Sequence, residues 1–312
     1  MQVAHTRMLL GGLGIPAESR QWWSKDTVAV VTGANKGIGL AIVRQLAKQG
    51  ITVVLTARDA NRGEQALESL KSEGLDDRVV FHTLDVNREQ SAQELAEWLR
   101  QTYGGIDILI NNAATSSNEM GANFEDAISI MNTNYFGVKN VTKALLPLAR
   151  NTPGGARIVV VSSRAGVLKN LGNKNQLKTT LSDREHITED LVDRSVAAYL
   201  AETENGTWKE EDWADMRKVG YAYPYRSYAV SKMAVNAYVS VLHNNTRLAA
   251  AGGKSKLINV FSCCPGHVDT DLSGHLGPRT VDQGADTPVW LALQSPKGGS
   301  GKFWADRTEI EF

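Results

Sequence analysis

Val28-Ala-Val-Val-Thr32-Gly33-Ala34-Asn35-Lys36-Gly37-Ile38-Gly39 is the stretch on which the fold turns. It opens as a short β-branched run and leads into a helical pattern from Leu40 to Gln49. Between the two, the glycines let the backbone turn tightly and approach a pyrophosphate closely. Such an anion sits at a helix N-terminus, where free N–H groups and the helix dipole favour it. The spacing is Gly-x-x-x-Gly-x-Gly, not the more familiar Gly-x-Gly-x-x-Gly, so the match is by mechanism: a strand before, a helix after. Gly33, Asn35, Lys36, Gly37, Ile38 and Gly39 are therefore the expected phosphate-turn residues.

Outward from this turn, short apolar runs recur at Thr52 to Leu55, Val79 to Phe81, Ile106 to Ile110, Ile158 to Val161 and Leu257 to Phe261. Their continuous rather than alternating apolar character is that of strands covered on both faces. Leu40 to Gln49, Glu89 to Gln101 and Ala127 to Ala149 between them are long enough for crossover helices. The alternation predicts an α/β fold: a Rossmann-type, doubly wound parallel sheet. With 312 residues, we read residues 25–312 as one domain after a tail at 1–24. The largely polar segment from Arg164 to Arg226 breaks the rhythm and reads as an insertion, with a helix start at Thr188-Glu189-Asp190. Phe303 to Phe312 supplies a last edge strand.

Composition narrows the function classes. Lys plus Arg and Asp plus Glu are each 34, so no basic field attracts nucleic acid or anionic lipid. The run Met8-Leu9-Leu10 is too short for a membrane span or signal segment. Cys263 and Cys264 are neighbours without metal-ligand spacing, and they fit a reducing, cytoplasmic setting. No metal is implied.

Enzymes of this architecture that use NAD carry an acid after the second strand to hold the ribose hydroxyls. Here that place holds Ala57-Arg58. A guanidinium there, with Lys36 in the turn, suits the additional phosphate of NADP(H). Asp85-Val86 and Asn111-Asn112 end the third and fourth strands, at the carboxyl edge where such sheets bind ligands. Asp85 is placed to hold the adenine edge and Asn112 to line the coenzyme cleft.

Tyr228-Ala-Val-Ser-Lys232 puts a phenol and an ammonium on one helix face. A nearby cation stabilises the phenolate and makes a better acid of the tyrosine. On spacing alone the pair is also an ordinary surface arrangement.

Thr32-Gly33-(x)3-Gly37-x-Gly39, Asn111-Asn112-Ala113, Asn134-Tyr-Phe-Gly137, Ser162-Ser163, Tyr228-(x)3-Lys232 and Pro265-Gly266-(x)3-Thr270 stand in the order of the short-chain dehydrogenase/reductase family. The resemblance runs from Val28 to Leu293. Within the family the chain is most similar to NADPH-dependent carbonyl reductases with a long insertion before the catalytic tyrosine. It also resembles the plant branch that reduces terpenoid and alkaloid ketones, which shares a lead-in like Trp22-Trp23-Ser24. The resemblance implies that Tyr228 is the general acid, that Ser163 rather than Ser162 holds the carbonyl oxygen, and that Lys232 tunes Tyr228 and binds the nicotinamide ribose. Asn134 would hold a water joining Lys232 to solvent. Pro265, Gly266, Val268 and Thr270 would bind the nicotinamide carboxamide.

Two positions depart from the family pattern: Ala114 stands where glycine is usual, and His267 where the animal carbonyl reductases carry tryptophan. Cys264, near the nicotinamide place, is either a small buried residue or a reactive thiol. By the same resemblance, the 64 residues between Ser163 and Tyr228 cover a surface that pairs subunits in other members, which implies a monomer. The aromatics Trp208, Trp213, Tyr221, Tyr223 and Tyr225 anchor this segment or line a substrate opening, and Gly274 and Gly277 give the loop Asp271 to Thr280 freedom to move. The expected activity is reduction of a ketone, aldehyde or quinone by hydride transfer. Two alternatives stay open in the sequence: a silent NADP-binding sensor or scaffold, and an alcohol dehydrogenase working mainly oxidatively.

Overall fold

The computed structural model describes residues 21–117, 123–152, 154–214, 216–219, 225–253, 256–294 and 299–312. One eight-stranded sheet runs through it in the order β3-β2-β1-β4-β5-β6-β7-β8. Its strands are β1 (Val28–Val31), β2 (Thr52–Ala57), β3 (Val79–Thr83), β4 (Ile108–Asn111), β5 (Ala156–Val161), β6 (Ile258–Cys264), β7 (Phe303–Ala305) and β8 (Thr308–Ile310). All pairings are parallel except that of β7 with β8. The order reverses between β1 and β4, and there a doubly wound sheet opens a crevice at its carboxyl edge.

Alternate residues of the central strands feed two separate cores. Ala29, Val31, Ile108, Ile110 and Val159 face α1 (Gly37–Lys48), α2 (Ala60–Lys71) and α9 (Val281–Gln294). Val28, Val30, Leu109, Ile158 and Val160 face the other layer: α3 (Glu89–Tyr103), α4 (Phe124–Met131), α5 (Gly137–Leu145), α7 (Glu189–Glu204) and α8 (Arg226–Ala251). Continuous apolar runs are what a strand needs when both of its faces are dry.

The helical stretch expected over Ala127 to Ala149 is interrupted. A π-helical turn at Asn132–Phe136 separates α4 from α5, the Gly137 N–H reaching back to the Asn132 carbonyl. Such bulges leave the backbone shifted where function needs it. β3 ends at Thr83, before the expected Asp85-Val86, and Gly137 meets the loop that follows so closely that an added Cβ would lie 2.9 Å from Val86 Cγ2.

In the polar segment before α8, a short helix α6 (Asn175–Ser182) precedes α7. The helix start at Thr188 is as expected: its hydroxyl accepts from Leu191 N–H as N-cap. α7 lies against α4 and α8. Lys139 of α5, 6% exposed, is held by Asp193 (2.5 and 2.7 Å) and Glu189 (2.7 Å) of α7, and the Tyr135 hydroxyl donates to Asp193 at 2.7 Å. Trp213 is buried and donates to Glu202 at 2.7 Å, and the Arg226 guanidinium stacks 4.6 Å from the Trp208 ring, so both tryptophans anchor the segment. Tyr221 and Tyr223 lie outside the described residues.

The C-terminal stretch forms two strands where one was expected. Asp306 and Arg307, both with positive φ (52° and 58°), make the two-residue turn that suits a tight hairpin, so β7 joins β6 and β8 takes the edge. At the other end Trp22 donates to the Leu293 carbonyl at 2.6 Å and stacks 3.5 Å over Arg157, tying the lead-in to the body. Among the described residues no helix is long and apolar enough to cross a membrane, and no cluster of metal-ligating side chains occurs.

Candidate active site

The phosphate turn is built by contacts that leave glycine no alternative. Gly33 takes φ +61°, and an added Cβ would sit 2.7 Å from the Ala113 Cα; at Gly39 it would sit 2.5 Å from Asn112 Nδ2. Asn112 is the clamp here: its amide donates to the carbonyls of Thr32 and Gly33, each at 3.0 Å. The Thr32 hydroxyl accepts from the N–H groups of Asn112 (2.9 Å) and Ala113 (3.0 Å), locking the ends of β1 and β4 together. Thr32 lay within the quoted motif, but its bridging role is visible only in space. Helix α1 then starts at Gly37, and its N-cap Lys36 makes no side-chain cap bond, as is also the case at the starts of α3, α6 and α8.

The other expected coenzyme residues follow the carboxyl ends of β2, β3 and β6. Arg58 is exposed at the end of β2, and Asn35 and Ile38 are half-buried. The Asp85 carboxylate accepts from Asn87 N–H at 3.0 Å, and Val86 is buried. The loop after β6 arches back toward the turn. Gly266 has φ +84° beside the Arg279 side chain, Val268 pairs with Arg279, and Thr270 caps the short turn Asp271–Ser273. The Thr270 Cγ2 lies 3.5 Å from where a Gly37 Cβ would be, and Lys36 forms an ion pair with Asp271 across the same gap. Sequence reading did not foresee Asp271 as the partner of Lys36. His267 is exposed and Ala114 half-buried.

Tyr228 lies in the first turn of α8, with the Lys232 ammonium 5.5 Å from its ring centroid. Lys232 is 3% exposed and donates to the Val161 carbonyl at 2.9 Å. Burial lowers its pKa to about 8; the thiols of Cys264 and Cys263 oppose that shift in part. Cys263 itself is pushed well up by burial.

The two serines diverge as strand alternation dictates. Ser162 is buried and lies 3.4 Å from the Lys232 carbonyl. Ser163 is half-buried at the end of β5, and its hydroxyl accepts from Ala165 N–H at 3.1 Å. Ser163 is thus the serine turned toward Ala165, which shares one apolar cluster with Tyr228. Gly166, which sequence reading passed over, makes this closeness possible: a Cβ there would lie 2.3 Å from the Lys232 carbonyl carbon and 2.5 Å from Met233 N.

Asn134 is fully buried in the π-helical turn. Its carboxamide accepts from Thr115 N–H (2.8 Å) and donates to the Thr115 carbonyl (2.9 Å) and the Ser231 hydroxyl (3.0 Å). Ser231 in turn donates to the Tyr228 carbonyl at 2.7 Å. Both amide hydrogens are thus used within the protein, and the side chain ties the Thr115 loop to the first turns of α8. Ser231 and Thr115 are further members of the site that a residue pattern alone did not single out.

The short chain dehydrogenase family model matches residues 27–175. The chain is 36% identical over 317 residues to short-chain dehydrogenase/reductase 1 of Saponaria officinalis, covering 94% of this chain and 98% of the relative. It is 39% identical over 298 residues to carbonyl reductase [NADPH] 1 of Sus scrofa, covering 93% and 95%. Salutaridine reductase from Papaver somniferum superposes with a TM-score of 0.76 at 32% identity, covering 90% of this chain and 99% of that one. The phosphate turn, the Tyr228–Lys232 pair and these likenesses over almost the whole length place the chain in the short-chain dehydrogenase/reductase family.

Proposed function

We propose that the protein is an NADPH-dependent carbonyl reductase, converting a ketone, aldehyde or quinone to the alcohol. The observation that carries the reading is the buried Lys232 ammonium beside the Tyr228 ring. Likeness to carbonyl reductase [NADPH] 1 over 93% of the chain supports it.

The residues present fit a dinucleotide. Gly33 and Gly39 leave no room for side chains, the first-turn N–H groups of α1 lack a side-chain cap, and Lys36 and Arg58 offer cations for a further phosphate. When bound, NADPH supplies the hydride. In this reading Asn112 holds the turn that carries the diphosphate, Asp85 and Val86 border the adenine, and Pro265, Gly266, Val268 and Thr270 meet the carboxamide. Tyr228 donates its hydroxyl proton to the carbonyl oxygen as negative charge develops there. Ser163 donates a second hydrogen bond to that oxygen. Lys232 stabilises the phenolate left behind and binds the ribose hydroxyls, and Asn134 keeps the first turns of α8 and the Thr115 loop in register.

Residues 25–312 act as one catalytic domain in this reading, with the insertion at about 164–226 covering α4 and α8. That cover supports a monomer, and two buried thiols with balanced charge support a cytoplasmic setting. A panel of ketones, aldehydes and quinones with NADPH tests the activity. We expect consumption of NADPH that falls by ~10² or more in Tyr228→Phe while coenzyme binding persists. NADPH binding without turnover of any carbonyl, with Tyr228→Phe identical to the parent, would overturn it.

A further inference from the structure

The residue that enters the catalytic helix is a tyrosine in a backbone conformation that tyrosine seldom adopts. Tyr225 has φ 44° and ψ 39°, in the left-handed region where a side chain crowds the next carbonyl. Strain of this kind persists only where the surroundings fix it, and it gathers at binding and catalytic sites. A glycine would take the same turn without strain, so what tyrosine adds is its side chain. That side chain does not cap α8 by a hydrogen bond; the helix begins through the Tyr225 carbonyl, which accepts from Ala229 N–H at 2.8 Å.

The ring packs against Ala165, Ala214, Met216 and Ala229, and the Tyr228 ring packs against the same cluster. Ala165 follows Ser163 by two positions and Ala229 follows Tyr228 directly, so the cluster lies beside both groups that meet the carbonyl oxygen. Met216 is a buried member of it, while Tyr225 and Tyr228 stay partly exposed. Trp213, next to Ala214, is held by its bond to Glu202 and by an edge-on contact with the Tyr199 ring, centroids 4.9 Å apart.

We propose that Tyr225 is a specificity-determining residue: its ring, backed by Met216, is an apolar wall beside Tyr228 that receives the carbon body of a bulky ketone and discriminates it from small aldehydes. The proposal rests on the carbonyl reductase reading. An apolar wall of this sort discriminates by contact area, which for one or two methylenes is worth about 10-fold or more in kcat/KM.

The test compares 4-tert-butylcyclohexanone, a bulky apolar ketone, with butanal on the full chain with NADPH. In Tyr225→Gly the ratio of kcat/KM for the bulky ketone to that for butanal is expected to fall about 10-fold or more, chiefly through KM, and Tyr225→Phe to keep the parent ratio. Tyr225→Asn, which also tolerates the left-handed turn, gives the same loss and stands in if the glycine variant does not fold. Coenzyme affinity, read by NADPH fluorescence, stays near that of the parent, which a general structural collapse would not allow. A ratio in Tyr225→Gly or Tyr225→Asn within roughly two-fold of the parent, or a parent that reduces only small aldehydes, overturns the proposal and leaves the carbonyl reductase reading standing. A parent that reduces no carbonyl overturns both.

Discussion

Lys232 holds its charge where the protein penalises it. Burial brings its pKa down from the ordinary lysine value of 10.5 to about 8. The unfolded chain therefore binds the proton that the folded one gives up between about pH 8 and 10.5, so this group's contribution to stability rises with pH through that window. Catalysis runs the other way. Reductive kcat/KM should decline as pH rises past about 8, when the cation beside Tyr228 is lost, and Lys232→Met should lower the rate and flatten that limb of the pH profile. Gly166 is a second residue whose importance is geometric. Gly166→Ala would push a Cβ to 2.3 Å from the Lys232 carbonyl carbon, so the turn carrying Ser163 must move away from α8. We expect a loss of about 1 to 3 kcal/mol in urea unfolding, together with a fall in kcat larger than any rise in KM. The spacing of Tyr228 and Lys232 was legible in the sequence because a helix has a fixed period. The need for glycine at 166 was not, because it depends on a contact between residues far apart in the chain.

At the scale of elements, the π-helical turn and α7 are coupled. Tyr135 follows Asn134 in that turn, and its hydroxyl donates to Asp193 of α7, which also holds the buried Lys139. Burial and the Asp193 carboxylate keep the Tyr135 phenol protonated, with its pKa driven well up. Asp193→Ala would leave the Lys139 ammonium with Glu189 alone. The expected cost is about 3 kcal/mol in a denaturant titration, the low end for a broken buried pair because Asp193 is itself partly exposed. A cost under about 0.5 kcal/mol would show that the pair behaves as a surface contact. The start of α7 could be read from Thr188 with acids after it, a local capping signal. The break at Asn132–Phe136 could not, because the helical period alone gives no sign of one inserted residue.

For the whole molecule, the reading that α7 covers the outer faces of α4 and α8 has a direct physical test. If α7 takes the place of a partner subunit there, light scattering should give a mass near 33.9 kDa, independent of concentration. A mass near twice that value would show that the segment joins subunits instead. The charge balance of 34 against 34 is consistent with a protein whose specificity lies in its crevice and not in a long-range field.

The sequence by itself determined most of the sheet, the glycine-rich turn and the helix that carries Tyr228 and Lys232. Strands buried on both faces must be apolar throughout, a diphosphate turn must have glycines, and a tyrosine and lysine four apart must share a helix face. These demands are local, so they leave a local trace. Only the tertiary structure decided that Asn112 clamps the turn, that Asn134 is committed to Thr115 and Ser231, that Asp271 meets Lys36, and that the C-terminus folds back as a hairpin. It also placed Tyr225 in the left-handed region beside Tyr228. Each of these joins segments distant in the chain or fixes one backbone angle against its preference, and no residue pattern encodes a contact whose partner is set by packing.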